Sequence, residues 1–573
     1  MRALVVIAAA AFGVLVLSAT GSGATRELWP GVTHSTEVEF TPAGPVALHV
    51  ISAPRPGGTT TLEPVLSTDT VVGREPLTSM QRRLAGTATT AGINGDLFAL
   101  GTGRPSGIFL RDGAVANPPN PGRSSLGISS DGTLEVRRVA LKGLLTLPDG
   151  ITKAPIARLN VMPPANGTAL FTSAFGTATP PLGGATAVVF FPLPPAAPGI
   201  DLPAPVAAVF PSSAPVEIPA GGGVLVARGA AAAALSGLVP ATIATIRLDL
   251  EPAWPNLVAA IGGGPQIVRD GAPVFRANEA FLDAQLAPRA PRSAVGQTAD
   301  GRVLLVAVDG RQAGYSVGVT NFQLGQALAR LGAVTAMALD GGGSTVMAFD
   351  GSVLNRPSAG ERAIASALLL VYTGVFAPEP LPVVSPDGDG VGDEQRLSYR
   401  VVRPSTVTAT VTGPGGTVAT TPAGAVERGP GSYPLALPAE LAEGNWTLDV
   451  AAVDDLGQPT TAKRTFVVDK TLGFLRSERP VFRLPPAGGS FALGWRLSRE
   501  ARVTATVETP GGTTLRKLAG KAFPAGEARV TWDGRDRKRA LVAAGRYVLR
   551  VRAAGPLGTV EQTLGFAVRR TAR

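Results

Sequence analysis

The sequence predicts an α+β first domain, strand-rich with mixed sheets and at least one βαβ unit, followed by two all-β sandwiches. Three observations carry this. Gly (71) and Pro (51) are abundant beside many Val, Thr and Ala, which reads as strands joined by turns. A strand–helix–strand pattern runs from Val303 to Leu339. Short alternating strands then repeat through the last third of the chain. At 573 residues the chain exceeds one ordinary core, and with 45% hydrophobic residues it can bury several.

The strand–helix–strand pattern is the densest part. Val303-Leu304-Leu305-Val306-Ala307-Val308 is apolar without alternation, as a strand buried on both faces would be. It ends in Asp309-Gly310-Arg311-Gln312. Thr320 and Gln323 are spaced as a capping box, Leu324, Leu328 and Leu331 recur at helical spacing, and Gly332 suits the stop. Val334 to Leu339 is a second apolar strand, ending in Asp340-Gly341-Gly342-Gly343-Ser344-Thr345. If the two strands are neighbours, a helical crossover makes them parallel. Both Asp-Gly ends then share one sheet edge, about 4.8 Å apart per strand, where ligands of such sheets bind.

At that edge, Asp309 and Asp340 supply carboxylates, and Arg311, Arg292 and Arg362 can grip an anion. Gly341, Gly342 and Gly343 let the backbone turn N–H groups toward one point, a nest suited to phosphate, with Ser344 and Thr345 adding hydroxyls. Asn94-Gly95-Asp96 and the stretch Asn355-Arg356-Pro357-Ser358 are further polar candidates. Each, taken alone, also reads as an ordinary turn.

The C-terminal repeat is read from paired segments. Val407-Thr408-Ala409-Thr410-Val411 recurs as Val503-Thr504-Ala505-Thr506-Val507, and Gly444-Asn445-Trp446-Thr447-Leu448 parallels Gly545-Arg546-Tyr547-Val548-Leu549. This fits two Ig-like sandwiches, at 396–470 and 475–570. A linker at 376–395 holds Ser385-Pro386-Asp387-Gly388-Asp389-Gly390-Val391-Gly392-Asp393. Asp387, Asp389 and Asp393 are candidate ligands for a structural Ca²⁺, although Val391 stands where an EF-hand loop has a ligand. Asp and Gly also form metal-free turns.

The N-terminus reads as a signal peptide over residues 1–24: basic Arg2, an apolar run from Ala3 to Ala19, and small residues Ser22-Gly23-Ala24. The alternative is an uncleaved membrane anchor. No other stretch is long and apolar enough to span a bilayer. Either way the chain is expected at or beyond the cell surface.

Composition narrows the chemistry. There is no cysteine, so disulfides, thiolate catalysis and Cys-ligated metals are excluded. The two histidines, His34 and His49, lie near no other candidate cluster, which speaks against Ser-His-Asp chemistry and His-rich zinc sites. The net charge of +10 is dilute, and the one basic cluster, Arg569 to Arg573, carries no interleaved aromatics, so no nucleic-acid partner is expected.

The polar stretches form a set. In order, they are Asn94 to Phe98, Ile261-Gly262-Gly263-Gly264-Pro265, Pro291-Arg292-Ser293-Ala294-Val295-Gly296, Val308 to Gln312, Leu339 to Thr345, and Asn355 to Arg362. This set resembles the phosphodiester glycosidase family, across 30–375. Leu97 departs from it, standing where the family more often has Phe. The Trp532-Asp533-Gly534-Arg535 segment, with Gly545-Arg546-Tyr547, resembles the Ig-like module of flagellar hook-cap proteins.

The first resemblance implies hydrolysis of a sugar joined through its anomeric carbon to phosphate, with no cofactor required. Asp340, Asp309 and Asp96 are the candidate catalytic carboxylates. Arg292 and Arg311 are assigned to phosphate, and Asn94, Ser344, Thr345 and Asn355 to sugar hydroxyls or phosphate oxygens. Gly341 to Gly343, Ser358 and Arg362 complete the expected binding set. The partner is a glycosyl-phosphate, on a cell-wall polymer or other surface glycoconjugate. Two other readings are a non-catalytic protein that binds anionic cell-wall glycans, and a metal-dependent phosphodiesterase that cleaves P–O.

Overall fold

A computed structural model describes residues 20–21, 24–235, 237–416 and 424–571. The expected signal segment falls almost wholly outside them. The chain divides into two compact units, 1–373 and 374–573. Among the described residues no helix is long and apolar enough to cross a membrane.

Ten strands and two helices of the first unit position the site. In chain order they are β1 (Val32–Thr41), β2 (Gly44–Ala53), β3 (Thr60–Leu66), α1 (Leu77–Leu84), β4 (Thr89–Asn94), β5 (Gln266–Arg269), β6 (Arg292–Thr298), β7 (Val303–Val308), α2 (Asn321–Arg330), β8 (Ala333–Ala338), β9 (Met347–Phe349) and β10 (Ser366–Tyr372). The main sheet runs β1-β2-β7-β6-β8-β5, and a second sheet runs β9-β4-β10-β3. Every pairing among these strands is antiparallel. Between β4 and β5 the chain builds two further sheets, the larger from strands between Ala140 and Glu251 around a core that includes Phe190, Leu225 and Ile246.

The α+β expectation with a βαβ unit is overturned. The protein is nearly all β, with four short α-helices among the described residues. α2 forms as its sequence requires: Thr320 Oγ1 accepts from Gln323 N (3.2 Å), Gln323 Oε1 accepts from Thr320 N (3.0 Å), and Gly332 follows at φ +90°. The strands it joins, however, are not neighbours. β6 lies between β7 and β8, antiparallel to both. The unbroken apolar run of β7 reflects burial on both faces. Leu304, Val306 and Val308 pack with Leu324 and Leu328 of α2 on one side, and β7 meets β4 of the second sheet on the other. Such burial is usual for parallel sheets, but here a covered antiparallel sheet produces it.

The second unit holds two sandwiches with one topology. The first has a sheet of strands 383–384, 459–468, 444–454, 405–412 and 426–428. The second has 481–484, 558–570, 545–555, 501–508 and 514–523, in the same spatial order. In each, the first pair is parallel. The sequence repeat has a shared bond at its centre. Trp446 Nε1 donates to Ala442 O (2.9 Å) and Tyr547 OH to Ala543 O (2.7 Å), each four residues back. Trp532, 1% exposed, fills the second core beside Phe482, Tyr547 and Phe566.

Candidate active site

Four strand ends converge. In the main sheet Arg292 lies opposite Val308, and Ala294 opposite Ala338. The turns after β7 and β8, with Asp309 and Asp340, therefore leave one edge on either side of β6. The end of β4 meets them there. Asp340 N donates to Gly95 O (3.0 Å), and Gly95 N to Ser366 O (2.8 Å). Asn94, fully buried, clamps the junction. Its Nδ2 donates to Asp340 O (2.7 Å), and its Oδ1 accepts from Ser293 Oγ (2.6 Å) and Val346 N (3.2 Å). The Asn94 amide is spent on the scaffold.

This brings Asp96 to Asp340. Asp96 is 2% exposed. Gly107 N donates to its Oδ2 (2.6 Å), while Oδ1 has no hydrogen-bond partner. Burial, above all, pushes its carboxyl up to about 7, and the charge of Asp340 adds to the rise. Burial also raises Asp340, to about 6, against the opposing pull of the Ser344 hydroxyl, Arg362, the Gly341 N–H and Arg123. Ser344 faces that carboxylate without meeting hydrogen-bond geometry. Its Oγ and Thr345 Oγ1 are buried and unpartnered. Glycine is required beside Asp96, because a Cβ on Gly262 would stand 2.5 Å from Asp96 Oδ2 and 2.7 Å from the Gly107 backbone.

The glycine loop differs from the expected nest. Gly342 N donates to Pro291 O (2.8 Å), Ser344 N to Gly341 O (3.3 Å) and Thr345 N to Gly342 O (3.3 Å), so its N–H groups are largely turned inward. Cations stand around it instead. The Arg311 guanidinium is 3.4 Å from the position of a Cβ on Gly342, and that of Arg362 is 3.6 Å from one on Gly343. Arg362 also lies over the Phe98 ring. Arg123, which acts on both carboxylates, stacks on Phe281 at 4.5 Å. Among the described residues none of these three forms an ion pair.

Other sequence candidates are occupied. Asp309 is 1% exposed, and its carboxylate accepts from His49 Nε2 (3.1 Å), Tyr315 OH (2.9 Å), Asn355 Nδ2 (2.8 Å) and Arg356 N (2.9 Å). Asn355 Oδ1 accepts from Met347 N (2.8 Å). Arg292 donates to the carbonyls of Gln285, Leu286, Pro288 and Val319, and burial lowers it to about 10. Ser358 lies on the loop after Asn355, bridged to Gly360. That loop is pinned by Glu361, which accepts from Thr78 N (2.8 Å) and Thr78 Oγ1 (2.7 Å) at the start of α1 and so fixes the neighbouring Arg362.

The structure corrects the reading of the histidines. His49 lies opposite Ala307, which puts its ring on the side of Asp309, and it stacks on His34 at 5.8 Å. Sequence reasoning missed this and missed Arg123. The one signal for His49 was a lone imidazole inside the apolar run of β2. Arg123, after Pro121-Gly122, carried none.

In the second unit Asp387, Asp389 and Asp393 each offer a ligand atom within 4.8 Å of the others. Their oxygens accept backbone N–H groups. Asp393 takes those of Asp387, Gly388 and Gly390, and Asp389 those of Val391 and Phe474. Such bonds are those of an Asx-rich turn.

Comparison with known proteins follows this division. Residues 206–371 match the phosphodiester glycosidase family, and 483–556 match the FlgD Ig-like domain. The first segment holds Arg292, Asp309, Arg311, Asp340 to Thr345, Asn355 and Arg362; Asn94, Asp96 and Arg123 precede it. The chain is 36% identical, over 110 residues, to the SPbeta prophage-derived uncharacterized protein YomE of Bacillus subtilis (strain 168), a stretch covering 19% of this chain and 17% of that protein. A hypothetical protein from Synechocystis has a similar structure, with TM-score 0.52 and 24% identity, over 61% of this chain and 64% of that one. The catalytic domain of zebrafish N-acetylglucosamine-1-phosphodiester alpha-N-acetylglucosaminidase aligns at TM-score 0.32 and 14% identity, over 62% and 88%. The chain therefore carries a phosphodiester glycosidase-family segment in its first unit and a FlgD Ig-like domain in its second.

Proposed function

We propose that the protein hydrolyses sugar-1-phosphodiesters, breaking the bond between the anomeric carbon and the phosphate oxygen, with Asp96 and Asp340 as the reacting carboxylates. The observation that carries this is the pair itself. Two carboxyl groups brought together from different sheets are both raised toward neutrality, the charge of Asp340 adding to the rise of Asp96, beside three arginines that form no ion pair among the described residues. Paired carboxylates with displaced pKa values serve glycoside cleavage, and guanidinium groups suit a phosphate leaving group.

The departing phosphate needs little protonation, because the second pKa of a phosphate monoester is about 6. Its charge is met by Arg311 and Arg362 over the glycine loop, with the unpartnered Ser344 and Thr345 hydroxyls as donors. The anomeric C–O bond breaks, its electron pair leaves on the phosphate, and water supplies the new oxygen on the sugar, giving up its proton to Asp340. Asp340, held toward its ionised form by Arg362 and the Gly341 N–H, faces the positive charge that develops on the sugar. The more deeply buried Asp96 carries the shared proton. Asp309 acts at one remove, as a positioning residue for the loop that bears Asn355 and Arg356. Action outside the cytoplasm, on surface glycoconjugates, is supported by the sequence pattern at residues 1–24.

The test is release of free sugar from a panel of glycosyl-1-phosphodiesters, UDP-GlcNAc included, by the full chain and by Asp340→Asn. Sugar from the parent and none from a folded variant is expected. Release of sugar still bearing phosphate would point to P–O cleavage and overturn the reading.

A further inference from the structure

Next to the carboxylate pair lies a cleft of about 950 Å³, lined among others by Arg104, Ser106, Asn117, Arg123 and Arg158. It adjoins the pair through two of its lining residues. Ser106 precedes Gly107, whose N–H holds Asp96, and Arg123 is a charge acting on both Asp96 and Asp340. Binding sites for small molecules run from about 300 to 1,000 Å³, so one phosphate alone leaves most of this space empty.

Two of its lining residues carry buried polar atoms without partners. Asn117 is 1% exposed. Its Nδ2 donates to Pro105 O (3.1 Å) and Gly107 O (2.5 Å), which fixes the amide and leaves the buried Oδ1 with no partner. Arg104 Nε is likewise buried and unpartnered. Burial, and then the charge of Arg158, lower Arg104 to about 10, so it remains a cation at neutral pH. Neither Arg104 nor Arg158 forms an ion pair among the described residues. Two like charges held together without a counter-charge are costly, and an anion between them removes the cost. Arg104, Asn117 and Arg158 all lie outside the segment that matches the family.

We propose that this cleft binds the leaving half of the substrate, and that this half is a hydroxyl-bearing chain carrying at least one further phosphate. Arg104 and Arg158 grip that second phosphate, and Asn117 Oδ1 accepts a hydroxyl of the chain. The place in the reaction rests on the hydrolase reading; the binding does not.

The experiment measures binding first, by calorimetry on full-length Asp340→Asn, with a glycerol-phosphate hexamer and with a neutral dextran oligosaccharide of similar length. The hexamer is expected to bind, more weakly as salt rises, and dextran not to bind. Arg158→Gln, on an exposed side chain, should weaken the hexamer several-fold at unchanged Tm, and Arg104→Gln/Arg158→Gln at least tenfold. Equal affinity in parent and variants, or no hexamer binding, overturns the proposal. Turnover is then compared on sugar-1-phosphodiesters with and without a second phosphate in the leaving half. The second phosphate should lower KM about tenfold, an advantage that the double variant loses at unchanged kcat. An equal KM for the two substrates removes the cleft from the reaction. Arginine-dependent hexamer binding with no sugar released from any compound supports the cleft and sinks the hydrolase reading alone.

Discussion

The backbone N–H of Asp340 donates to the carbonyl of Gly95 at 3.0 Å, one residue before Asp96. With the Asn94 bonds to Asp340 O and Ser293 Oγ, it joins the main sheet to the second and brings the two carboxylates together. Neither sheet supplies a pair by itself.

Asp340→Asn keeps the shape and removes the charge. We expect kcat to fall about 10³-fold, within the range for loss of an acid–base group, with an unchanged circular dichroism spectrum. Retention of a tenth or more of the parent rate would remove Asp340 from the reacting pair.

The proposed reaction needs Asp96 protonated and Asp340 ionised. Activity that needs one proton on the pair should peak near pH 6 to 7, falling on both sides as both groups gain or lose a proton. Stability follows a different course. A carboxyl raised in the folded state binds its proton more tightly there than in the unfolded chain, so the protein loses stability as pH rises from about 4 to about 7, the value for Asp96. Thermal melting of Asp96→Asn should therefore lose less between pH 5 and pH 8 than that of the parent. Parallel melting curves would contradict the raised pKa.

Arg311→Gln and Arg362→Gln each remove one unpaired guanidinium beside the glycine loop. A hydrogen bond to a charged group contributes about 1.5–3 kcal/mol, so kcat/KM should fall by about one to two orders of magnitude. Lysine at either position should restore only part, since it lacks the bidentate fork. An unchanged kcat/KM in both variants would assign these residues elsewhere.

Asp309→Ala leaves the donors of His49, Tyr315, Asn355 and Arg356 without an acceptor. The expected loss is about 3 kcal/mol in urea unfolding, from buried donors left unsatisfied. A stable Asp309→Asn variant with much reduced kcat would instead argue for direct participation.

Gly262→Ala brings a methyl against Asp96 Oδ2 and the Gly107 backbone. Neither neighbour is a flexible chain end, so Asp96 must shift. Loss of activity about 10²-fold at a modest loss of Tm is expected, as for a displaced reacting group.

The sequence made α2 legible to its cap, because the Thr320–Gln323 box and Gly332 are local signals. The Ig-like repeat was legible because each half folds on its own pattern, down to the bond shared by Trp446 and Tyr547. The sheet order was not. That β6 inserts between β7 and β8 is a long-range pairing, and β7 is equally apolar in either arrangement. The same limit applies within the site. Asp340 and Asp96 stood out by motif, but whether Asn94 or Arg292 faced a ligand or the scaffold depended on which carbonyls folding brought to them. Arg123 arrives from a proline-rich loop with no pattern at all.

Asn94 bonds to groups up to 252 positions away in the chain. An isolated fragment of either sheet therefore lacks half of the reacting pair, so activity should appear only once both sheets have closed. An activity assay on this protein would in that sense report its folding, silent for separate halves and positive only for the whole.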